Sequence, residues 1–161
     1  MIPSAQIIHL PDADATAAWA AQLGAKLSAG DTVLLNGPVG AGKTHFARAL
    51  IQSILTHPED IPSPTFTLVQ TYDTTRGALW HADLYRVSTD TEIDELGLLE
   101  AFETAICLVE WPDRLGPLLP ENALSIDLVA SQGASRDTRD AHLTWTNAHW
   151  GTVLAEVTDH V

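Results

Sequence analysis

Two continuous apolar runs mark the centre of a predicted sheet. Thr32–Asn36 and Ala105–Val109 are dominated by Val, Leu, Ile, Ala and Cys, and such runs are typical of strands buried on both faces of a parallel sheet. Shorter or alternating apolar runs predict the remaining strands. These further candidates are Gln6–Leu10, Thr65–Tyr72, Ala78–Tyr85, Leu124–Val129 and Ala141–Trp145.

Apolar residues that recur every three or four positions predict helices between these strands. The first helix follows Asp12 or Asp14, either of which can cap it, and is expected to end at Gly30. The second begins at Lys43 and runs to about Leu55. Weaker patterns predict a short helix within Glu92–Thr104 and a terminal helix over His149–Val157.

Strands and helices alternate through much of the chain, which predicts the α/β class. A turn at residues 75–77 joins two neighbouring strand candidates into a hairpin. The hairpin predicts that the sheet is mixed, and the helices are expected on both of its faces. The length of 161 residues fits a single domain over residues 1–161.

A glycine-rich loop joins the first buried strand to the second helix. Its sequence, GPVGAGKT, matches the phosphate-loop pattern G-x-x-x-x-G-K-[ST]. Glycines let backbone N–H groups turn towards phosphate oxygens, Lys43 supplies a cation, and Thr44 offers a hydroxyl to Mg²⁺. The fold class becomes that of a P-loop NTPase, and the expected nucleotide-binding residues are Gly37, Pro38, Val39, Gly40, Ala41, Gly42, Lys43 and Thr44. A purely structural turn would leave Lys43 and Thr44 unexplained.

Acidic residues near strand ends are candidates for completing the metal site. Glu110 follows the apolar run Ala105–Val109, like the acidic residue of a Walker B element, and is predicted to bind Mg²⁺ with Thr44. Asp83 shares one face of its strand with His81 and Tyr85, and three polar side chains on one face indicate the wall of a site. Asp83 is a candidate for orienting water or for contacting the coordination sphere of the metal, and His81 for contacting phosphate or holding Asp83. An ordinary strand-end carboxylate and a solvated strand face stay open as alternatives.

Two loops carry further candidates. Thr65 lies in the stretch SPTF, where many P-loop switches carry a Ser or Thr that senses the γ-phosphate; a capped turn before a strand is the alternative. Arg136, clustered with Arg139, is predicted to contact the edge of the nucleotide unless it lies in a solvated loop. Adenine is favoured because the guanine-specific pattern N-K-x-D is absent.

Charge and cysteine content exclude several classes of protein. The chain has 21 Asp and Glu against 8 Lys and Arg, a net charge of −13, so stable direct binding of nucleic acid is not expected. Cys107 is the one cysteine, which excludes a disulfide framework and favours a reducing, cytoplasmic setting. No apolar run approaches the roughly 18 residues that span a bilayer, so no membrane association is expected.

Four motifs occur in an order and spacing that resemble the TsaE (YjeE) family: GPVGAGKT, SPTFTLVQTY, HADLYR and ICLVEWPDRLG. The resemblance covers about residues 10–115 well and the rest loosely. It implies a P-loop ATPase that serves threonylcarbamoyl modification of the adenosine beside the anticodon of certain tRNAs. It also implies binding to TsaB and TsaD, of which TsaD performs the transfer, with ATP hydrolysis supporting repeated turnover.

The resemblance assigns roles to individual residues. Thr65 and Asp83 would lie by the γ-phosphate, with Asp83 important for hydrolysis, so the predicted catalytic residues are Asp83, Lys43 and Thr65. Trp111 would lie beside the metal site and joins the nucleotide-binding residues. Pro38 stands where many relatives carry Asp, which removes a carboxylate and a backbone donor from the loop entrance. Its effect on partner docking stays open.

Two other functions stay open at this stage. A small-metabolite kinase would place the phosphate on an acceptor, although the chain lacks the several arginines that usually form a kinase lid. A non-hydrolysing, nucleotide-dependent binding module would bind ATP and release no phosphate even with partners present. Hydrolysis by the protein alone is expected to be slow, because no arginine finger is apparent in the chain.

Overall fold

The computed structural model describes residues 3–65, 67–131 and 136–158. Within these ranges the elements are β1 (Ser4–Leu10), α1 (Ala13–Gly24), β2 (Thr32–Asn36), α2 (Lys43–Ile54), β3 (Val69–Thr74), β4 (Gly77–Asp83), α3 (Asp90–Glu95), α4 (Leu98–Thr104), β5 (Ile106–Glu110), a 3-10 helix (Pro112–Leu118), β6 (Leu124–Ala130), β7 (Arg139–Trp145) and α5 (Ala148–Thr158). None of these helices is long and apolar enough to cross a membrane.

The strands form one seven-stranded sheet in the order β1-β7-β6-β2-β5-β4-β3. The central strands β6, β2, β5 and β4 are parallel, whereas β3, β7 and β1 pair with their neighbours in antiparallel fashion. This is the mixed α/β sheet that the alternating pattern and the hairpin predicted. The carboxyl ends of the parallel strands meet at one edge of the sheet, which is where ligands of such folds bind.

Helices cover the first face of the sheet across its width. Side chains of α1, α2 and α5 pack in one cluster with apolar residues from six of the strands and with Tyr72 of the remaining strand, β3. Trp19 of α1 and Phe46 of α2 have ring centroids 5.6 Å apart and connect these two helices. Both side chains are fully buried, as is Trp150 of α5, and aromatic side chains of this kind contribute much of the buried apolar area.

The second face is covered over only part of the sheet. The helices α3 and α4 and the 3-10 helix pack on alternate residues of β2, β4 and β5, such as Leu34 and Val109. No described residue of β6, β7 or β1 belongs to that cluster, and Ile7 and Val129 are exposed. Helices thus lie on both faces of the covered half (β2, β5, β4 and β3), as predicted, and on one face of the open half (β6, β7 and β1).

The sequence pattern located several elements correctly. Thr32–Asn36 is a strand and Lys43 is the first residue of α2, as predicted. The hairpin is present, and the terminal helix includes the predicted His149–Val157. The segment Glu92–Thr104 is helical but is divided into two helices, because Gly97 adopts a φ of 77° between them.

The first helix is shorter than predicted and ends at Gly24 rather than Gly30. Beyond it the chain turns more tightly, with the N–H of Lys26 bonded to the carbonyl of Leu23 and the N–H of Leu27 bonded to that of Gly24. Leu27 is nevertheless fully buried. The apolar spacing therefore predicted burial correctly and the end of the helix wrongly.

Two strands have ends that differ from the prediction. β3 begins at Val69 rather than Thr65, because Leu68 has a φ of 68°, outside the range of extended backbone. β4 ends at Asp83 rather than Tyr85. The Asp83 carboxylate accepts a hydrogen bond from the Tyr85 N–H at 3.0 Å, which turns the chain away from the sheet.

Candidate functional site

The loop between β2 and α2 requires its glycines. Gly37, Gly40 and Gly42 have φ values of 142°, 83° and 105°, which residues with side chains rarely adopt. A Cβ atom at Gly37 would lie 2.9 Å from the Cβ of Ala41 and from the carbonyl oxygen of Leu128. The path of the backbone therefore requires the glycine pattern that the sequence motif contains.

The N-terminus of α2 opens onto this loop without a side-chain cap. Gly42 occupies the N-cap position, and no side chain there accepts a hydrogen bond from the first turn of this 12-residue helix. Unpaired N–H groups and the helix dipole give such an end a partial positive charge. An anion such as phosphate is a suitable acceptor for these groups.

Lys43 is buried within the loop, with only 5% of its surface exposed. Its ammonium group donates to the carbonyl oxygens of Gly37 and Pro38, the latter at 3.0 Å. Burial lowers the pKa of the Lys43 ammonium group, and the carboxylates of Glu110 and Asp83 oppose that shift. An anion bound in the loop would further favour the charged form of this lysine.

Trp111 lies against the Lys43 ammonium group. Its ring centroid is 4.0 Å from Lys43 Nζ, and 4.8 Å from the ring centroid of Tyr85. Trp111 has a φ of 59°, an unfavourable conformation for an aromatic residue that precedes a proline. Backbone outliers of this kind persist where surrounding contacts hold them, and they are concentrated at functional sites.

Two acidic residues lie side by side at the ends of neighbouring parallel strands. Asp83 ends β4 and Glu110 ends β5, and the two are paired in register. Both are buried, with exposures of 5% and 2%, and buried carboxylates need polar partners. Glu110 Oε1 accepts from Thr44 Oγ1 at 2.8 Å, and Glu110 Oε2 lies 2.7 Å from Nε2 of His81.

Asp83 is connected to the loop that precedes β3. Its backbone N–H donates to the carbonyl of Leu68 at 2.8 Å, which holds this loop against the end of β4. Thr65 Oγ1 lies 3.4 Å from Asp83 Oδ2 and 2.7 Å from Ser63 Oγ. The Asp83 carboxylate therefore has one oxygen fixed by the backbone, through Tyr85, and one that faces the hydroxyl group of Thr65.

These side chains surround a cavity of about 400 Å³. Its hydroxyl and carboxylate oxygens suit Mg²⁺, which binds through few protein oxygens together with water and phosphate. In the described ranges no three His, Cys, Asp or Glu side chains converge as a complete metal cage. A smaller cavity of about 220 Å³ adjoins the loop and is lined by Ala13, Thr16, Gly40, Ala41, Gly42, His45, Asp137 and Arg139.

Most of the predicted site residues lie around the larger cavity. Its lining includes Val39, Gly40, Gly42, Lys43, Thr44, Thr65, Asp83, Glu110 and Trp111. It also includes Tyr85, which was predicted on the same strand face as Asp83, and His45, which was not predicted. His81 lines neither cavity, because it is fully buried against Glu110. Its expected contact with phosphate or Asp83 is therefore replaced by a contact with Glu110.

The arginine that reaches the phosphate loop is Arg139 and not Arg136. Arg139 Nε donates to the carbonyl of Ala41 at 2.8 Å, and Nη2 donates to that of Gly40 at 3.2 Å. Arg136 is exposed and lines neither cavity; its carbonyl accepts from Arg139 Nη1 at 2.7 Å. The position of Arg139 at the start of β7, beside the ends of the parallel strands, distinguishes the two arginines once the topology is known.

Comparisons with known proteins agree with this geometry. The family model of threonylcarbamoyl adenosine biosynthesis protein TsaE matches residues 10–139. The tRNA threonylcarbamoyladenosine biosynthesis protein TsaE of Rickettsia bellii is 41% identical over 110 residues, 68% of this chain and 76% of that protein. The protein of the same name from Treponema pallidum is 36% identical over 123 residues, 76% of this chain and 90% of that protein.

A solved structure resembles the whole fold. The crystal structure of Bacillus subtilis YdiB superposes with a TM-score of 0.77 and 26% identity, and the match covers 99% of this chain and 98% of that one. The residues that the family model matches include the glycine loop and the strand ends described above. The chain therefore belongs to the TsaE family of tRNA threonylcarbamoyladenosine biosynthesis proteins.

Proposed function

We propose that this protein is a Mg²⁺-dependent ATPase that binds the TsaB–TsaD complex and supports its turnover in threonylcarbamoyl modification of tRNA adenosine next to the anticodon. The observation that carries the proposal is the group of buried charges, Lys43, Asp83 and Glu110, around an uncapped helix N-terminus. Burying charge is costly unless partners or a ligand compensate. Membership of the TsaE family supplies the pathway.

The phosphate loop is the proposed binding site for the triphosphate of ATP. Backbone N–H groups of residues 39–44 would donate to phosphate oxygens, and Lys43 would exchange its carbonyl contacts for the β- and γ-phosphates. Thr44 and Glu110 would hold Mg²⁺, whose charge would neutralise that of the phosphates. The Thr44–Glu110 hydrogen bond supports this assignment, because it already brings the two oxygen-bearing groups together.

Asp83 is the proposed catalytic residue for hydrolysis. Its Oδ2 would accept a proton from water while the water oxygen forms a bond to the γ-phosphorus. The bond between that phosphorus and the β–γ bridging oxygen would break, and ADP would leave. Thr65, whose hydroxyl lies 3.4 Å from Oδ2, would help to orient the water or the γ-phosphate.

The smaller cavity is the proposed place for the adenosine. It adjoins the glycine loop and is lined by Ala13 and Thr16 of α1 and by His45 of α2. His45 Nε2 lies 3.0 Å from the carbonyl oxygen of Ala13, which connects the starts of these two helices. The two cavities share Gly40, Gly42 and His45, so a single nucleotide could extend from one to the other.

Charge and the rim of the larger cavity support the proposed partners. A net charge of −13 opposes direct binding of tRNA, so the protein is proposed to act on TsaB and TsaD in the cytoplasm. Val39 and Tyr85 line the cavity with exposures of 80% and 48%, an apolar rim that a partner could cover. No described arginine lines this cavity, which fits slow hydrolysis until a partner completes the site.

The test is phosphate release from Mg·ATP, measured with and without a purified TsaB–TsaD pair. Slow release by the protein alone, clear stimulation by the pair and no stimulation in Lys43→Ala are expected. Tight ATP binding without stimulated release would favour a nucleotide-dependent binding module. Transfer of label from γ-labelled ATP to a small acceptor would favour a kinase. Either of these results would overturn the ATPase proposal and leave the family membership intact.

A further inference from the structure

His81 is fully buried on β4, and one of its two ring nitrogens has no partner. Nε2 lies 2.7 Å from Oε2 of Glu110, and the two side chains have exposures of 0% and 3%. Nδ1 has no hydrogen-bond partner among the described residues. A buried nitrogen without a partner costs free energy, so packing alone would favour an apolar residue here. The contact with Glu110 is the feature that requires a polar side chain at this position.

Glu110 is held from two sides by this arrangement. Thr44 Oγ1 donates to Oε1 at 2.8 Å, and His81, with its hydrogen on Nε2, donates to Oε2. The carboxylate therefore connects β4, β5 and the first turn of α2. A glutamate has one more rotatable bond than an aspartate, and two opposing hydrogen bonds restrict that additional freedom.

We propose that His81 is a positioning residue that holds the Glu110 carboxylate, so that the Thr44 hydroxyl gives its hydrogen to Oε1 and keeps its lone pairs for Mg²⁺. A hydroxyl group has one hydrogen and two lone pairs, so a fixed acceptor for the hydrogen directs the lone pairs elsewhere. The inference rests on the Mg²⁺–nucleotide site of the proposed function. It assigns His81 to the metal side of the site and not to contact with the nucleotide.

Three replacements of His81 separate this role from a structural one. His81→Gln places an amide nitrogen near the position of Nε2 and keeps a donor for Glu110. His81→Asn places that nitrogen near Nδ1, out of reach of Glu110, and His81→Leu removes it. Mg²⁺ affinity is measured by titrating Mg²⁺ into the protein with a fluorescent ADP analogue. The affinity for the analogue alone is measured in EDTA.

The expected result is a loss of Mg²⁺ affinity of about tenfold in H81N and H81L, as when partners of metal ligands are removed from other sites. H81Q is expected to recover most of this affinity, and binding of the analogue in EDTA should not change. Because His81 acts through Glu110, adding H81N to Glu110→Gln should lower Mg²⁺ affinity no further. The proposal would be overturned if H81N had the Mg²⁺ affinity of the wild type. It would also be overturned if H81N lost affinity for the ADP analogue equally in Mg²⁺ and in EDTA.

Two controls keep these outcomes separate. His142→Asn is the matched replacement, because His142 is exposed on β7 of the open half. Thermal unfolding tests whether each variant is folded, and the comparison of H81Q with H81N remains valid if H81L does not fold. A wild-type protein that gains no nucleotide affinity from Mg²⁺ would overturn the metal site of the proposed function and this inference with it. If Mg²⁺ raises the nucleotide affinity of the wild type and raises that of H81N equally, only the role of His81 is contradicted.

Discussion

The two halves of the sheet each contain a histidine–carboxylate pair, and the pairs differ in their surroundings. In the covered half, His81 and Glu110 are 2.7 Å apart, with side-chain exposures of 0% and 3%. In the open half, His9 and Asp140 are 2.8 Å apart, with exposures of 57% and 31%. The distances are almost the same, so hydrogen-bond geometry does not distinguish the pairs.

The two histidine–carboxylate pairs differ in their burial and in the charged groups that surround them. Water hydrates the exposed pair, so its formation changes the free energy of unfolding little. The buried pair has lost that hydration and lies beside Lys43 and the glycine loop, where further charges are also buried. A cluster that is costly to bury and that converges on a helix N-terminus indicates a ligand site. The exposed pair of His9 and Asp140 gives no such indication.

The largest expected effect is that of Asp83→Asn on hydrolysis. Removal of a general base commonly lowers the rate about 10²–10⁴-fold, while the phosphate loop, which is the proposed ATP-binding site, is left intact. Phosphate release in the presence of TsaB and TsaD measures the rate, and a fluorescent ATP analogue measures binding. Asp127→Asn is the matched control, because Asp127 is exposed on β6 of the open half. Normal turnover in Asp83→Asn would remove this residue from the mechanism.

The second effect is the loss of nucleotide affinity in Lys43→Ala. Truncating one partner of a buried, hydrogen-bonded charge pair costs about 3 kcal/mol, on the order of a 100-fold change in affinity. Lys26, the other lysine of the chain, is a control because its ammonium group forms a surface pair with Glu156 at 3.1 Å. Equilibrium binding of labelled ATP to both alanine variants is the measurement. Equal affinities would contradict the assignment of the phosphate loop.

Much of the covered half could be predicted from the sequence, because its signals are local. The apolar run Thr32–Asn36, the glycine loop after it and the start of α2 at Lys43 need only neighbouring residues to be recognised. The same is true of Glu110 at the end of a buried run. Alternation also placed His81 and Asp83 on one face of β4, which the structure bears out.

The partners of those residues could not be predicted, because they depend on register and topology. His81 meets Glu110 only because β4 pairs with β5 in the register that places Asp83 opposite Glu110. Arg139 reaches the glycine loop only because β7 starts beside the carboxyl end of β6. Left-handed backbone at Leu68 has no sequence signal comparable to a glycine, so the late start of β3 was not foreseeable.

The third effect is the loss of ATP affinity in Arg139→Gln. This variant tests the contact through which the open half of the sheet supports the phosphate loop. Arg139 begins β7 of the open half, and its guanidinium holds the carbonyl groups of Gly40 and Ala41 in the phosphate loop. Loss of these hydrogen bonds is expected to weaken ATP binding about tenfold, equivalent to roughly 1.4 kcal/mol. Arg136→Gln is expected to bind ATP like the wild type. Calorimetric titration measures the ATP affinity of both variants. A larger loss of affinity in Arg136→Gln than in Arg139→Gln would restore Arg136 as the nucleotide contact.

The smallest effect is expected for Asp140→Asn in the open half. The hydrogen bond from His9 holds the pKa of Asp140 below its ordinary value of 3.8. A carboxylate with a lowered pKa stabilises the fold above its ordinary pKa, and this contribution is lost as the pH falls through the lowered value. The wild type should therefore have a slightly higher unfolding temperature than Asp140→Asn at neutral pH, and the difference should disappear at a pH below that value.

The ATP affinity of Asp140→Asn tests whether the exposed pair is independent of the phosphate loop. Asp140 directly follows Arg139 in β7, but its side chain bonds to His9 on the face without helices. Asp140→Asn is therefore expected to bind ATP like the wild type, since the backbone that positions Arg139 is held by the pairing of β7 with β6 and β1. A loss similar to that of Arg139→Gln would mean that the exposed pair also supports the phosphate loop. Burial would then not be the property that separates the two histidine–carboxylate pairs.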